Sequence, residues 1–411
     1  MSNDYRHFQR RRTVLKTIGA LGVAGAFAGT ASGATVTVSP GDSIQTAVNA
    51  AAPGDTIHVE AGTYAETVVV DKALTLVGPN DGVHPEYDTR GPEAVVTGFR
   101  LAADGVTITG FRIANGTKGV ATVGNNTVRS DITLEFNDFH TLSEWPVLHG
   151  FGFGGGIGSA DWTVSHNRIS NITGDAITAI VLFNVDGVTL ERNYVEHATT
   201  SASGRRGHNL DGCTAITMTD CYVDMGLRGP ANTGANFTAA RYSLQLSMSG
   251  RAVSDVTITG NTFRGGYDGL VTLGNGDISD VDIEDNEVFD NVIGMRFQAG
   301  TNAPAGAVDD VRVWRNDLAG MFWGLFLQGT DPYTAFVATL NDLSDNENAG
   351  LRVDAGVVTT DGIDAERNWW GSRDGPDADT LTDPDGLADT RPWLRNGTAA
   401  GAVPGNPSRG G

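Results

Sequence analysis

Ten short segments of alternating apolar and polar residues recur along the chain, each running into a turn: VTITGFRI (106–113), ITLEFNDF (132–139), WTVSHNRI (162–169), VTLERNYV (188–195), ITMTDCYV (216–223), VTITGNTF (256–263), VDIEDNEV (281–288), VRVWRNDL (311–318), VATLNDL (337–343) and IDAERNWW (363–370). The aligned turn position is Phe111, then Asn137, Asn167, Asn193, Cys221, Asn261, Asn286, Asn316, Asn341 and Asn368. Their spacings are 26, 30, 26, 28, 40, 25, 30, 25 and 27 residues. So regular a period means stacked units rather than separate globular modules.

The content of one period selects the kind of stack. Helical repeats would place apolar residues at i, i+3 and i+4, whereas these units alternate with period two and are rich in Val, Ile, Thr and Gly. After the turn comes a Gly-led apolar strand, as in GLVTLG (269–274), GMRFQ (294–298), GLFLQG (324–329) and GLRVD (350–354). One period therefore holds two clear strands and room for a third. The expected fold is all-β, a right-handed single-stranded parallel β-helix of about ten coils, roughly 50 Å long at about 4.8 Å per coil. An Asn at one corner of every coil suits left-handed backbone, and its amide can bond to the Asn of the next coil. These Asn are read as structural, with Cys221 as a buried thiol in their column.

Composition narrows the function classes. The chain has 411 residues and a formal net charge of −21, which argues against nucleic acid, whose binding needs clustered cations. Asp outnumbers Glu by 37 to 12, and Lys occurs only at positions 16, 72 and 118. This composition resembles that of proteins from salt-loving archaea, whose carboxylate surfaces stay hydrated in concentrated salt. Cys213 and Cys221 are too few for a disulfide framework and are read as two thiols.

Arg11 and Arg12 precede an apolar, Gly/Ala-rich run from Ile18 to Ala28. Residues 1–34 are read as a twin-arginine export signal, and no second apolar span suggests membrane insertion of the mature chain. The expected organisation continues with a capping helix (Ser43 to Ala51) and first coil over 35–82, β-helix repeats over 83–395, and a disordered small-residue tail over 396–411. The protein is expected outside the cell, as a monomer. Sequons stand at Asn115, Asn125, Asn171, Asn236 and Asn396.

The segment TVTVSPGDSIQTAVNAAAPGDTIHVEAGTYAETVVVDKALTLVGPNDG (35–82) resembles the opening of pectin-lyase-like β-helix proteins, including the NosD-type and pectin-methylesterase-like branches. RNWWGSRDGP (367–376) resembles the end of many secreted β-helix surface proteins. The resemblance implies the capped β-helix. Activity is not implied with it. The Gln-Asp-Thr and Asp-Phe-Ile-Phe-Gly strands of methylesterase-like enzymes are missing, and Gly207, His208, Asn209 and Asp211 offer only a distorted echo of the polygalacturonase-like Gly-His-Gly turn. NosD-type assistance in metal-centre maturation finds no Met/His/Cys copper cluster here.

The expected function is therefore a secreted β-helix that binds polysaccharide or serves as a surface or extracellular structural module. The alternative is a polysaccharide lyase or glycoside hydrolase acting on acidic, uronate-containing glycans. Register alignment puts Arg296, Phe326 and Arg352 in one column and Gln298, Gln328 and Asp354 in another. Arg can pair with a uronate carboxylate, Phe can stack on a sugar and Gln can bond hydroxyls. Asp175 and Asp211 are candidates for an acid/base pair, with Arg296, Arg352 and Asp354 as further catalytic candidates. Long loops at 144–158, 201–212 and 226–237 are expected to form a binding rim carrying Trp145, His149, Phe151, Phe153, Arg205, Arg206 and His208. The His residues lack metal-ligand spacing, so no metal or other cofactor is expected beyond adventitious calcium on acidic turns.

Overall fold

The computed structural model describes residues 33–396, apart from 125, 151–155, 174–177, 198–205, 227–240, 247–250, 274–275 and 301–305. The expected export signal up to residue 32, the tail from 397, Asn125, Phe151, Phe153, Asp175, Arg205, Asn236 and the 226–237 loop after Gly226 lie outside the described residues.

Every strand pairing among the described residues is parallel, and the strands form ladders that run from coil to coil. The first carries all ten predicted repeat strands in order, among them Val106–Thr109, Ile132–Glu135, Ser159–Ser165 and Val185–Glu191. It extends past them with Thr35–Val38, Thr56–Val59 and Thr75–Val77 at one end and Ala388–Asp389 at the other. Alternation aims one residue in two inward. Ile108, Leu134, Val164, Leu190, Met218, Ile258, Ile283 and Val313 stack in register down the interior, all within 0% exposure. Burying such aliphatic side chains supplies about 1.5–3 kcal/mol each.

The predicted Asn column is a hydrogen-bonded ladder. Asn286 N donates to Asn316 Oδ1 at 3.0 Å and Asn286 Nδ2 to the same oxygen at 2.9 Å; Asn316 repeats this toward Asn341, at 2.9 and 3.1 Å. Each amide also caps a strand carbonyl, as Asn316 Nδ2 does at Ile283 O (3.0 Å). At Cys221 the side-chain part lapses, because Asn193 Nδ2 reaches only Sγ at 3.9 Å. One expectation is corrected: the left-handed residue is not the Asn but its predecessor. Phe136, His166, Arg192, Asp220, Asp285, Arg315, Leu340 and Arg367 have φ between 48° and 61°. That twist turns the Asn amide inward, where the next Asn holds it.

Two further ladders follow each Asn corner. A short strand comes first, as in Asp138–His140, Arg168–Ser170, Tyr194–Glu196 and Tyr222–Asp224. The Gly-led strand follows, as in Thr178–Phe183, Arg206–Asp211, Tyr242–Leu246, Asp268–Thr272, Ile293–Ala299, Trp323–Gly329 and Ala349–Val353. The leading Gly is a packing requirement: a Cβ on Gly294 would lie 2.4 Å from Gly324 O, and one on Gly324 2.6 Å from Gly350 O.

The predicted helix is Ile44–Ala50, with Ser43 as its N-cap and Ala51 as its C-cap. Ser43 Oγ accepts from Thr46 N at 3.2 Å, and Glu66 from a neighbouring strand accepts from Ile44 N at 2.7 Å. Ile44 and Val48 enter the core beside the first coils. Cys213 and Cys221 are both free and buried. Nine described Asp, including Asp131, Asp161, Asp255, Asp280 and Asp310, have left-handed φ. Part of the Asp excess thus serves coil corners, which Asp tolerates better than most residues.

Candidate functional site

The Gly-led ladder presents two outward columns. In one, Thr178, Arg206, Tyr242, Asp268, Ile293, Trp323 and Ala349 pair in turn. In the other, Leu148, Val181, Asn209, Gln245, Val271, Arg296, Phe326 and Arg352 do so. The polar residues Arg206, Tyr242, Asp268, Asn209, Gln245 and Arg296 gather in the middle coils of the two columns, between two apolar clusters. At one end Leu148, Val181, Phe183 and Trp145 form a cluster apart from the main core; at the other Ile293, Trp323, Phe326 and Ala349 form a second.

The polar middle centres on Asp268 and Arg296. Asp268 Oδ2 accepts from Arg296 Nη2 at 2.6 Å, and the Asp268 side chain is fully buried. Burial pushes the Asp268 carboxyl up to about 7, against the pull of Arg296. For Arg296, burial acts downward, but Asp268 and Tyr242 outweigh it and the guanidinium is held more firmly protonated. Tyr267 lies beneath that guanidinium, 5.8 Å from ring centroid to Cζ, and burial followed by Asp268 pushes its phenol up to about 12. Burial likewise raises the Tyr242 pKa, and Arg206 approaches the Tyr242 ring at 6.0 Å.

Around this pair several buried polar atoms find no hydrogen-bond partner among the described residues: Asp268 Oδ1, Arg296 Nε, Asn209 Oδ1 and both amide atoms of Gln245. An orphaned buried polar atom costs about 1–3 kcal/mol. Such a concentration of unpaired polar atoms calls for polar partners, from water or from a bound ligand. No group of three or more His, Cys, Asp or Glu among the described residues is placed to hold a metal ion.

The expected columns exist. Arg296 pairs with Phe326 and Phe326 with Arg352, while Gln298 pairs with Gln328. Asp354 N bonds Leu327 O, which puts its side chain next in the Gln column. Their contacts are partly internal, however. Arg352 bonds Asp354 at 2.8 Å and lies over both Trp323 (4.5 Å) and Phe326 (4.6 Å), so the Phe326 face expected to meet a sugar is already covered.

Other expected residues lie apart. Asp211 falls in the Gln298 column but three coils earlier, roughly 14 Å away along the stack, and is fully buried at the end of its strand. Trp145 belongs to the far apolar cluster, with Lys118 Nζ 5.1 Å from its ring. Residues 206–211 are a strand rather than part of a loop. In consequence His208 points inward between Ile180 and Leu244, fully buried, and burial followed by His197 drops its pKa to about 3. It is core, not rim. His149 is also fully buried, stacked on Trp162 at 4.6 Å and bonded to Ser159 Oγ at 2.8 Å.

Asp268, Tyr242, Tyr267, Gln245 and Asn209 were not singled out by the sequence reading. A signal for Asp268 was present: the residue before the leading Gly is Ile293, Trp323 and Ala349 in later coils, and a carboxylate only at 268.

One family model agrees with this architecture. The family model for the right handed beta helix region matches residues 156–321. No curated protein matches the chain. Among solved structures, the catalytic domain of a GH87 alpha-1,3-glucanase in complex with nigerose is 14% identical, with 84% of this chain and 65% of that one covered and a TM-score of 0.47. This chain thus spans just under two thirds of the glucanase domain. An alginate lyase from Paenibacillus sp. str. FPU-7 is 13% identical over 79% of this chain and 97% of the lyase, with a TM-score of 0.36. The A-module of the Azotobacter vinelandii mannuronan C-5 epimerase AlgE4 is 12% identical over 87% and 93%, with a TM-score of 0.40. Likenesses this distant assign no activity. The fold is a right-handed parallel β-helix.

Proposed function

We propose that this protein acts on an acidic, uronate-containing polysaccharide laid over the Gly-led face, cleaving it by β-elimination at Asp268 and Arg296. The observation that carries this reading is the buried Asp268–Arg296 pair with a free carboxylate oxygen, surrounded by orphaned amide atoms. A carboxyl near 7 is poised to accept a proton at neutral pH. Arg296 would bind the uronate carboxylate, which acidifies the adjacent C5 proton. Asp268 takes that proton, its electron pair becomes the C4–C5 double bond, the C4–O bond breaks, and the departing oxygen takes a proton from the Tyr242 phenol. Gln245 and Asn209 would hold sugar hydroxyls. The reaction calls on no cofactor, so calcium or a chelator is expected to leave its rate unchanged.

Binding without cleavage is the second reading. It is favoured by the 2.6 Å contact itself, since two groups that already neutralise each other can be purely structural.

We also propose export by the twin-arginine route and work outside the cell, supported by Arg11 and Arg12 ahead of the apolar run. The acidic, Lys-poor composition supports a saline setting.

The test is incubation with a panel of polyuronates at several salt concentrations, following the ultraviolet absorbance of unsaturated uronates and retention on immobilised glycan together. Asp268→Asn is expected to lower product formation about 10²–10⁴-fold, the usual worth of a proton-transfer group, while the glycan is still retained. Unchanged turnover in that variant sinks the catalytic assignment. Retention without product from any polyuronate leaves the binding reading.

A further inference from the structure

A different face of the rod carries a second set of groups suited to sugar. On the short-strand ladder, Arg112, Asp138, Arg168, Tyr194 and Tyr222 pair in turn and point outward, because their neighbours Ile113, Phe139, Ile169, Val195 and Val223 are fully buried in the core. The Tyr194 and Tyr222 rings lie parallel, 4.8 Å apart with 7° between planes. Segment 79–93 folds back across this edge. Arg90 Nη1 donates to Phe136 O at 2.8 Å, and His84 Nε2 lies 2.9 Å from Arg192 O. The segment thereby sets Tyr87 edge-on to Tyr194 at 6.2 Å, with Tyr87 still 64% exposed.

Where the segment rejoins the coils there is a cavity of about 530 Å³, lined by Thr63, Glu93, Arg112, Asn115 and His140 among others. That volume is within the range of small-molecule sites. Asp138, in contact with Arg112 at 3.6 Å and only 5% exposed, keeps Oδ1 without a partner among the described residues. The charges here are already matched: Arg90 with Glu93 at 2.8 Å, Arg168 with Glu86 at 3.0 Å, and Arg112 with Asp138. A face of paired charges offers donors and acceptors together and little net field. It favours hydroxyls over a carboxylate, and tyrosine rings offer amphipathic platforms to sugar rings.

We propose that this face is a second saccharide-binding surface, selective for a neutral oligosaccharide, running from the Arg112/His140 cavity to the Tyr87–Tyr194–Tyr222 aromatics. It lies on another ladder from Asp268 and does not rest on catalysis there.

Calorimetric titration of the full chain with cellohexaose, maltohexaose and laminarihexaose, and separately with an oligouronate, tests it. At least one neutral hexasaccharide is expected to bind once per chain. Tyr87→Ala and His140→Ala are expected to weaken that binding at least tenfold, with the thermal midpoint and the oligouronate response unchanged. Asp268→Asn is expected to leave neutral-sugar binding intact. Absence of binding by all three neutral sugars, or binding indifferent to both substitutions, overturns the proposal. Should oligouronate binding fail while neutral binding persists, only the reading of the Asp268 face falls.

Discussion

Asp268 and Arg296 stand on neighbouring coils, with Asp268 paired in register to Ile293 and Arg296 three residues further on, yet their side chains meet at 2.6 Å. The diagonal contact buries a carboxylate that a surface position would leave in water, and Arg296 brings it a counter-charge from the next coil. Above about pH 7, where Asp268 is ionised, Arg296→Ala is expected to destabilise the fold by about 3–5 kcal/mol, because it takes the counter-charge from a buried carboxylate. Adding Asp268→Asn should recover most of that loss, and chemical denaturation of the two single variants and the double variant measures the coupling.

The same carboxyl sets a pH dependence. Its folded pKa is raised from 3.8 to about 7, so the folded chain holds the proton more tightly than the unfolded one. Its stabilising contribution is complete below 3.8 and is lost as pH rises through about 7. Asp268→Asn should flatten stability against pH across that window. An unchanged slope would show that Asp268 does not titrate there.

His149 has the opposite sign. Burial, followed by the nearby Arg129, drops its pKa from 6.5 to about 4, so its contribution is present above 6.5 and is lost as pH falls toward 4. His149→Gln should reduce the acid sensitivity of the thermal midpoint between those limits. If the mutant midpoint falls as steeply with acid as the wild type, the buried ring is not responsible.

The Asn ladder predicts a gain of stability at its break. Cys221 N still donates to Asn261 Oδ1 at 2.9 Å, but the Cys221 side chain offers Asn193 only sulfur. Cys221→Asn is expected to stabilise the protein by about 1 kcal/mol, the usual net worth of a buried hydrogen bond. Asn316→Ala, which removes bonds to Asn341 and orphans carbonyls in a fully buried site, should cost about 1–3 kcal/mol or more. Denaturant midpoints decide both.

Packing between coils gives a sharper test. Gly294→Ala would put a Cβ 2.4 Å from Gly324 O and 2.6 Å from Met321 Cε. Backbone cannot withdraw as a flexible side chain can, so a loss of about 1–3 kcal/mol or more is expected, seen as a lower thermal midpoint.

The stacking of coils, the Asn column and the pairing of Arg296 with Phe326 and Arg352 are legible in the chain because each depends on a pattern that repeats locally. Period-two alternation fixes which residues face inward, and a constant coil length carries that choice to the next turn. Where the pattern is weak the reading went astray. RGHNLD at 206–211 has too few apolar residues to show its alternation, so a core His208 looked like part of a loop. The left-handed residue was also assigned one place too late, since sequence marks the amide that bonds and not the backbone that aims it.

Local repetition is enough to give the β-helix, its corners and the columns along it, because hydrogen bonds between successive coils make the fold nearly one-dimensional. It does not give the lean of Asp268 across to Arg296, the turn of Arg352 back onto Trp323, or the placing of Tyr87 beside Tyr194 by segment 79–93. Those contacts join residues in different columns or distant segments. Their geometry depends on side-chain reach and burial, which no repeat period encodes.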